Sequence, residues 1–227
     1  MAIRLTTTKE SARMSGLKIG VAGLAGAGKT KLCATTGAPT VIISAEAGLL
    51  SLRDVDIPVI EVASIADVHE AYKFLSESAD AKHFEWVCLD SISEIAEQVL
   101  SYEKKVNKDA RAAYGELSVQ MIDLIKAFRD LQGKNVYMSA KMERTKDEIT
   151  GGMLYGPSMP GAKLGQAIPY LFDEFFVLRV EKDPDGNPTR ALQTGPDYQY
   201  QAKDRSGALD LFEPPNLGDI AKKILAS

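Results

Sequence analysis

The sequence predicts an α/β protein with a mostly parallel β-sheet, helices on both faces and a C-terminal β-hairpin. Short apolar runs rich in β-branched residues alternate with segments of helical periodicity, as in sheets built from strand–helix–strand units. The chain has 227 residues, which at roughly 150 residues per domain favours one elaborated domain over two. We expect a polar tail in residues 1–16, with a role in oligomerisation as a hypothesis, and one folded domain in residues 17–227.

Five buried strands and four helices account for residues 17–140 of this domain. Each strand is a short apolar run, and each helix repeats its apolar positions at helical spacing. The expected strands are residues 17–22, 40–44, 58–62, 85–89 and 135–140. The expected helices are a short one from about residue 29, then residues 67–76, 92–102 and about 114–128.

The pattern changes after residue 140. Residues 141–161 are rich in glycine, proline and charge, which predicts a loop. Two short apolar runs flank the turn signal at residues 184–187, which predicts a β-hairpin. The remaining expected elements are a helix at residues 165–171, the hairpin strands at 175–180 and 190–193, and a closing helix at 217–225.

Composition excludes several classes of protein. The formal net charge of −4 excludes a globally basic nucleic-acid coat but leaves room for a local basic patch. No apolar run approaches the length of a membrane span, and the first residues lack the apolar core of a secretory signal. Two isolated cysteines, Cys33 and Cys88, support neither a disulfide framework nor a zinc site. We therefore expect a cytoplasmic protein without membrane contact or structural metal.

Residues 23–30, GLAGAGKT, fit the phosphate-binding motif G-x-x-x-x-G-K-[ST] between a predicted strand and a predicted helix. Glycines allow successive N–H groups to turn towards an anion, and the helix N-terminus adds positive potential. Lysine and threonine at the motif's end bind the β- and γ-phosphates and Mg²⁺. The predicted cofactors are ATP and Mg²⁺, because the guanine-reading patterns are missing. The expected contacts are Gly23, Gly26, Ala27, Gly28, Lys29 and Thr30.

Acidic residues at two strand ends complete the predicted site. Asp90 ends the strand at residues 85–89 and is the expected Mg²⁺ ligand with Thr30; the alternative is a helix N-cap. Residue 91 is serine, so the carboxylate that activates water must come from elsewhere. Glu46 follows the neighbouring strand and is the first choice, with Glu94 and Glu97 as weaker candidates. The alternative for Glu46 is a solvated loop residue.

Together these motifs resemble the RecA-type ATPase core, in which a glutamate after the second strand is the catalytic base. The resemblance spans about residues 17–210, and the run at residues 155–161 is most similar to phage RecA-like single-strand annealing ATPases. It implies an oligomeric ATPase, as a ring or filament, that binds single-stranded DNA in recombination or annealing. It further implies a single-strand-binding protein as a partner and a phage-infected bacterial cell as the location. DNA-binding loops would fall at about residues 101–113 and 142–161.

The segment at residues 101–113 carries four cations against two carboxylates in an acidic protein. Clustered cations neutralise DNA phosphates, and the flanking Tyr102 and Tyr114 would stack bases; the alternative is a solvated helix end with core tyrosines. The apolar segment at residues 151–155 would either wedge between DNA bases or pack against the rest of the protein. The candidate phosphate contacts are Lys104, Lys105, Lys108, Arg111 and Lys163.

Lys203 and Arg205 form a K-x-R pair after the hairpin. In an extended segment the two side chains project from the same face. RecA-like enzymes use such a pair to reach the γ-phosphate of a neighbouring subunit, and this segment also resembles the KNRFG signature of RadA. The resemblance thus implies that Lys203 and Arg205 are catalytic in trans; the alternative is an ordinary surface loop.

Two other classes of function stay open on the sequence alone. The first is a small-molecule kinase with the same P-loop, which would need a lid with several arginines, whereas residues 141–161 contain only Arg144. The second is a nucleotide-dependent switch without significant hydrolysis, against which Glu46 argues. ATP turnover with and without single-stranded DNA, measured beside the native mass, separates the three hypotheses.

Overall fold

A computed structural model describes residues 5–7, 16–46, 48–146 and 151–226. Most of the predicted tail, residues 1–16, therefore lies outside the described residues. In the described part the helices are α1 (Lys29–Leu32), α2 (Ile65–Glu77), α3 (Ile92–Val106), α4 (Ala110–Arg129), α5 (Ala162–Ala167) and α6 (Leu217–Ala226). Short 3₁₀ turns occupy Cys33–Thr35, Leu49–Leu52, Ala79–Ala81 and Ile168–Leu171.

The strands of the described residues form one mixed sheet. They are β1 (Lys18–Gly23), β2 (Thr40–Ser44), β3 (Val59–Glu61), β4 (Trp86–Asp90), β5 (Asn135–Lys146), β6 (Met153–Pro157), β7 (Glu174–Lys182), β8 (Pro188–Gln193), β9 (Lys203–Asp204) and β10 (Phe212–Glu213). The order across the sheet is β3-β2-β4-β5-β1-β7-β8-β10, with β6 paired to β5 and β9 to β7. All pairs from β3 to β7 along this order are parallel, so the predicted fold class is confirmed.

Apolar side chains cover both faces of the sheet, which explains why the central strands read as continuous apolar runs. One core lies beneath α2, α3 and α4 and contains Val99, Met121 and Phe128. The second lies beneath α1 and α6 and contains Trp86 and Phe176. Both cysteines are free thiols buried in this second core. The carboxyl ends of the parallel strands meet at one edge, where the sequence motifs are placed.

Two segments predicted as loops are regular structure. Residues 141–161 contain most of an antiparallel hairpin, in which β5 continues to Lys146 and pairs with β6 from Met142↔Pro157 to Lys146↔Met153. Residues 101–113 are the end of α3 and the start of α4, separated only by residues 107–109. Both corrections have a similar cause: exposed charged residues interrupt the apolar pattern of these segments, so apolar periodicity does not mark them.

Candidate active site

The phosphate-binding loop connects β1 to α1. Gly26 and Gly28 have φ values of 72° and 109°, in the left-handed region that favours glycine, so the motif's glycines are needed for the shape of the loop. Helix α1 begins at Lys29, and its first carbonyl accepts a 2.9 Å hydrogen bond from the Tyr137 hydroxyl of β5. The loop is thereby fixed to the centre of the sheet.

Lys29 folds back over this loop. Its Nζ donates to the Gly23 carbonyl at 2.9 Å and to the Leu24 carbonyl at 3.1 Å. Burial lowers the pKa of Lys29, while the carboxylates of Glu46 and Asp90 act in the opposite direction. The ammonium is thus placed where a phosphate would replace the two carbonyl oxygens as its partners.

Thr30 and Asp90 are joined directly. Thr30 Oγ1 donates to Asp90 Oδ2 at 2.6 Å, and Ser139 of β5 donates to Asp90 Oδ1. The N-cap of α3 is Ser91, whose hydroxyl accepts from the Glu94 N–H, so Asp90 does not have the alternative capping role. A hydroxyl and a carboxylate are hard oxygen donors of the kind that Mg²⁺ takes beside nucleotide phosphates, and these two groups fit that ion.

Glu46 lies beside this pair because β2 and β4 are parallel neighbours, with Ser44 opposite Asp90. Ser91 Oγ donates to Glu46 Oε1 at 2.7 Å, and Ser44 Oγ donates to the Glu46 carbonyl at 2.7 Å. The carboxylate lines the same cavity as Lys29 and Thr30. Glu46 therefore has a fixed orientation at the mouth of the site, as a base that positions water requires.

The weaker base candidates are placed differently. Glu94 Oε2 is paired with Lys141 Nζ at 2.5 Å, which neutralises it and raises the pKa of Lys141. Glu97 is exposed one turn further along α3 and does not line the cavity. Of the three carboxylates, Glu46 alone combines a place in the cavity with a hydrogen bond that orients it.

The cavity has a volume of about 670 Å³. Beyond the predicted residues, it is lined by Ala25 of the phosphate-binding loop and by Lys31, Ser51, Lys141, Met142, Ser158 and Arg190. Lys141 lies where β5 leaves the central sheet, at the same carboxyl edge as Asp90. Its position at the site could be predicted from the sequence once β5 is placed between β1 and β4. Arg190 comes from β8 and has no sequence signal. Sequence reasoning missed both as site residues.

Lys203 and Arg205 lie away from this cavity. Strand β9 pairs with the amino end of β7, with Lys203 opposite Phe175, whereas the phosphate-binding loop follows the carboxyl end of β1. Lys203 Nζ donates to the Phe172 carbonyl, and Arg205 pairs with Asp173 at 2.6 Å. Neither side chain reaches the P-loop of its own chain.

The predicted DNA-contacting lysines surround a helical corner, residues 101–114, at the junction of α3 and α4. Lys104, Lys105, Lys108 and Arg111 are all exposed there. Glu103 is buried and accepts from Asn107 Nδ2 at 2.6 Å and Gln120 Nε2 at 2.7 Å. Because Glu103 is withdrawn from the surface, the exposed charge of the corner is more positive than the sequence count indicates.

Lys163 and the helical corner belong to one side of the molecule. Lys163 is exposed in the first turn of α5, two residues after Gly161, against which the Tyr114 ring packs. Ser158, just before this turn, lines the cavity. At the end of residues 151–155, Tyr155 stacks on Tyr200 with ring centroids 4.7 Å apart. The aromatic ring of this segment is thus packed within the protein.

Within the described ranges, no helix has the length and apolar character that crossing a bilayer demands. Nor does the described part of the chain gather three or more His, Cys, Asp or Glu side chains into a possible metal cluster.

Three features define a P-loop ATPase with the RecA-like α/β fold: the phosphate-binding loop, the carboxylates after β2 and at the end of β4, and the strand order. The family model AAA_24, described as an AAA domain, matches residues 15–206. Since this match spans most of the chain, the protein belongs to that family. No curated protein sequence is significantly similar to the chain.

The solved structures that are similar to this chain include two with the following properties. An ATPase from the type III secretion system of pathogenic bacteria is 14% identical with a TM-score of 0.52; the match covers 72% of this chain and 51% of that one, about half its length. A KaiC-like protein from the hyperthermophilic archaeon Pyrococcus horikoshii OT3 is 15% identical over 78% of each chain with a TM-score of 0.46. At this identity, the similarity to the secretion ATPase supports the fold alone.

Proposed function

We propose that this protein is an oligomeric ATPase that binds single-stranded DNA and acts in phage-type recombination or strand annealing, hydrolysing ATP at subunit interfaces. One observation carries the catalytic part of this proposal. The Thr30–Asp90 pair and the Ser91–Glu46 pair stand side by side at the carboxyl edge of the sheet, next to Lys29. A phosphate-binding loop, an oxygen site for a cation and an oriented carboxylate are the parts that hydrolysis needs.

The residues of the chain have distinct tasks in this scheme. The loop N–H groups and Lys29 bind the phosphates, and Thr30 and Asp90 hold Mg²⁺. When bound, Mg²⁺ neutralises charge on the β- and γ-phosphate oxygens. Glu46 orients a water molecule and accepts its proton as the water oxygen bonds to the γ-phosphorus and the bond to the ADP oxygen breaks.

Lys203 and Arg205 would complete the site of a neighbouring subunit. They lie at the opposite end of the sheet from their own P-loop, so any contact with a γ-phosphate has to be made in another copy of the chain. Such a contact stabilises charge on the transferring group. It requires release of Lys203 from the Phe172 carbonyl and of Arg205 from Asp173. A ring or a filament provides this head-to-tail arrangement.

The DNA-binding part of the proposal depends on the helical corner. Four exposed cations and a half-exposed Tyr102 lie there, and the contact of Tyr114 with Gly161 links the corner to Lys163 and to the rim of the cavity. Cations next to aromatic rings suit single strands, because the cations pair with phosphates and the rings stack on bases. The short path to the cavity gives DNA a physical route to affect hydrolysis.

ATP turnover, measured with and without single-stranded DNA and beside the native mass, tests this proposal. We expect turnover by a multimer, stimulated by DNA, and loss of the stimulation when Lys104, Lys105 and Lys108 are replaced together. Transfer of phosphate to a small molecule would instead identify a kinase, and slow turnover unaffected by DNA would identify a nucleotide-dependent switch.

A further inference from the structure

Arg190 lies across the phosphate-binding loop although it comes from a distant part of the sequence. It belongs to β8, opposite Val180 of β7, and β7 is the neighbour of β1. Its Nε donates to the Ala27 carbonyl at 2.9 Å. A Cβ placed on Gly28 would lie 3.6 Å from the same nitrogen, so the side chain packs directly against the loop.

The rest of the guanidinium has no hydrogen-bond partner among the residues that the structure describes. Other arginines pair with a carboxylate, as Arg129, Arg179 and Arg205 do. Among the described residues, no carboxylate lies within ion-pair distance of Arg190. The hydrogen bond to Ala27 occupies one of the five N–H groups of the guanidinium. Arg190 is exposed and lines the same cavity as Lys29 and Thr30. An unpaired cation is thus placed at the rim of a site that the P-loop prepares for phosphate.

We propose that Arg190 binds a phosphate group of the nucleotide held by its own chain, with Nε kept on the Ala27 carbonyl while the terminal nitrogens donate to phosphate oxygens. The anchor limits rotation of the side chain, and a planar fork of donors matches two phosphate oxygens. This role differs from that of Lys203 and Arg205, which act on a neighbour. It rests on the proposed nucleotide-binding function of the cavity and adds a further ligand to it.

The competing explanation is that Arg190 only holds the loop in shape through Ala27. Two substitutions separate these roles. Arg190→Gln keeps a neutral side-chain donor for the Ala27 carbonyl but removes the charge and the fork. Arg190→Lys keeps the charge and removes the fork. Lys182→Gln, an exposed cation on the adjacent strand β7, is the matched control, and Lys29→Ala is the reference for lost phosphate binding.

Calorimetry on the full chain would measure the affinity for ATP and for inorganic pyrophosphate. We expect Arg190→Gln to weaken both by roughly 10- to 100-fold, the range for a lost hydrogen bond to a charged group. Lys182→Gln should bind as the wild type does. If Arg190→Gln binds both ligands as the wild type does while Lys29→Ala fails to bind them, the proposed role of Arg190 is overturned. The proposed ATPase function would be unaffected by that result.

Two further outcomes are decisive. If the wild type binds neither ATP nor pyrophosphate, the proposed function falls and this inference falls with it. If Arg190→Gln lowers the melting temperature, Arg190→Lys provides the test. A contact made by two guanidinium donors predicts that this variant binds ATP more weakly than the wild type. Wild-type affinity in a folded Arg190→Lys protein would contradict the two-donor contact.

Discussion

Thr30 Oγ1 and Asp90 Oδ2 are 2.6 Å apart, which joins the first turn of α1 to the end of β4. The other carboxylate oxygen of Asp90 accepts from Ser139, so both oxygens are engaged by hydroxyl groups. Asp90 is buried. A charge at this position is compensated by hydrogen bonds, and Thr30, which shares one of them, lines the cavity.

Asp90→Asn should therefore affect cation use more than folding. The amide has nearly the volume of the carboxyl group and keeps an oxygen acceptor, but the negative charge is lost. We expect turnover to fall by roughly 10²- to 10³-fold, as when one electrostatic contact to the transferring phosphate is removed, and half-maximal activity to need more Mg²⁺. A Mg²⁺ titration of the initial rate measures both quantities. A titration curve that coincides with that of the wild type would remove Asp90 from the site.

Replacement of Lys104, Lys105 and Lys108 by alanine tests the DNA surface. If all three contact phosphate, the slope of log affinity against log salt should fall by roughly 0.7 per lysine, about 2 in total, for single strands of any sequence. Fluorescence anisotropy at several salt concentrations measures the slope.

The matched control replaces three exposed lysines on other elements, Lys73, Lys82 and Lys222, with the same change in net charge. This variant should keep the wild-type slope. Equal slopes in the wild type and the corner variant would show that the corner is only a solvated surface, and the search would move to Lys163 and the β5–β6 hairpin.

Arg205→Ala and Lys203→Ala should each bind ATP normally, because both residues lie at the opposite end of the sheet from their own P-loop. Hydrolysis should fall by roughly 10³-fold or more, as for loss of an arginine finger. Mixing Arg205→Ala with Lys29→Ala should restore part of the activity, since a shared interface can combine one intact P-loop with one intact finger. If the native mass shows that the two variants co-assemble and the mixture stays inactive, Arg205 does not act on a neighbouring subunit. Its role would then be the ion pair with Asp173.

Glu174 should make stability depend on pH. It is buried beside Asp204, and burial, with Asp204 as the second cause, raises its pKa from 4.5 to about 7. Its Oε2 has no donor among the described residues, as expected for a carboxyl that holds its own proton. Because the folded state keeps this proton more tightly, its contribution to stability is complete below about pH 4.5 and is lost as the pH rises to about 7.

Glu174→Gln imitates the protonated form, since its amide can donate to Asp204. At pH 8 the variant should be more stable than the wild type by about 1–3 kcal/mol, since each unit of pKa corresponds to about 1.4 kcal/mol. At pH 4.5 the difference should vanish. Urea unfolding at the two pH values measures it, and a difference that does not change with pH would show that Glu174 ionises normally.

The sequence predicted the buried strands well because apolar side chains mark them. Residues 40–44 were predicted as a strand and are β2 as observed. The hairpin of β5 and β6 was missed because residues 143–146 are exposed and polar, three of them charged, so neither face carries an apolar pattern. The helical corner was missed for a related reason: its buried Glu103 is held by Asn107 and Gln120, and such a polar contact leaves no periodic signal.

The same contrast holds for the site. The phosphate-binding loop is contiguous in sequence. Asp90 ends one recognisable strand and Glu46 closely follows another, so their meeting follows from the parallel sheet. Arg190 reaches Ala27 across 163 positions of the chain. The two residues meet only because β7 pairs with β1 and β8 pairs with β7. No local sequence pattern encodes that contact.

If this cavity hydrolyses ATP with Glu46 as the base, the turnover of Glu46→Gln is the decisive measurement. We expect unchanged ATP affinity and a rate lower by roughly 10²- to 10⁴-fold, the usual effect of losing a general base. Glu94→Gln, which only frees Lys141, should retain most of its activity. A Glu46→Gln rate within about threefold of the wild type would show that Glu46 is not the base, because loss of a positioned base costs far more.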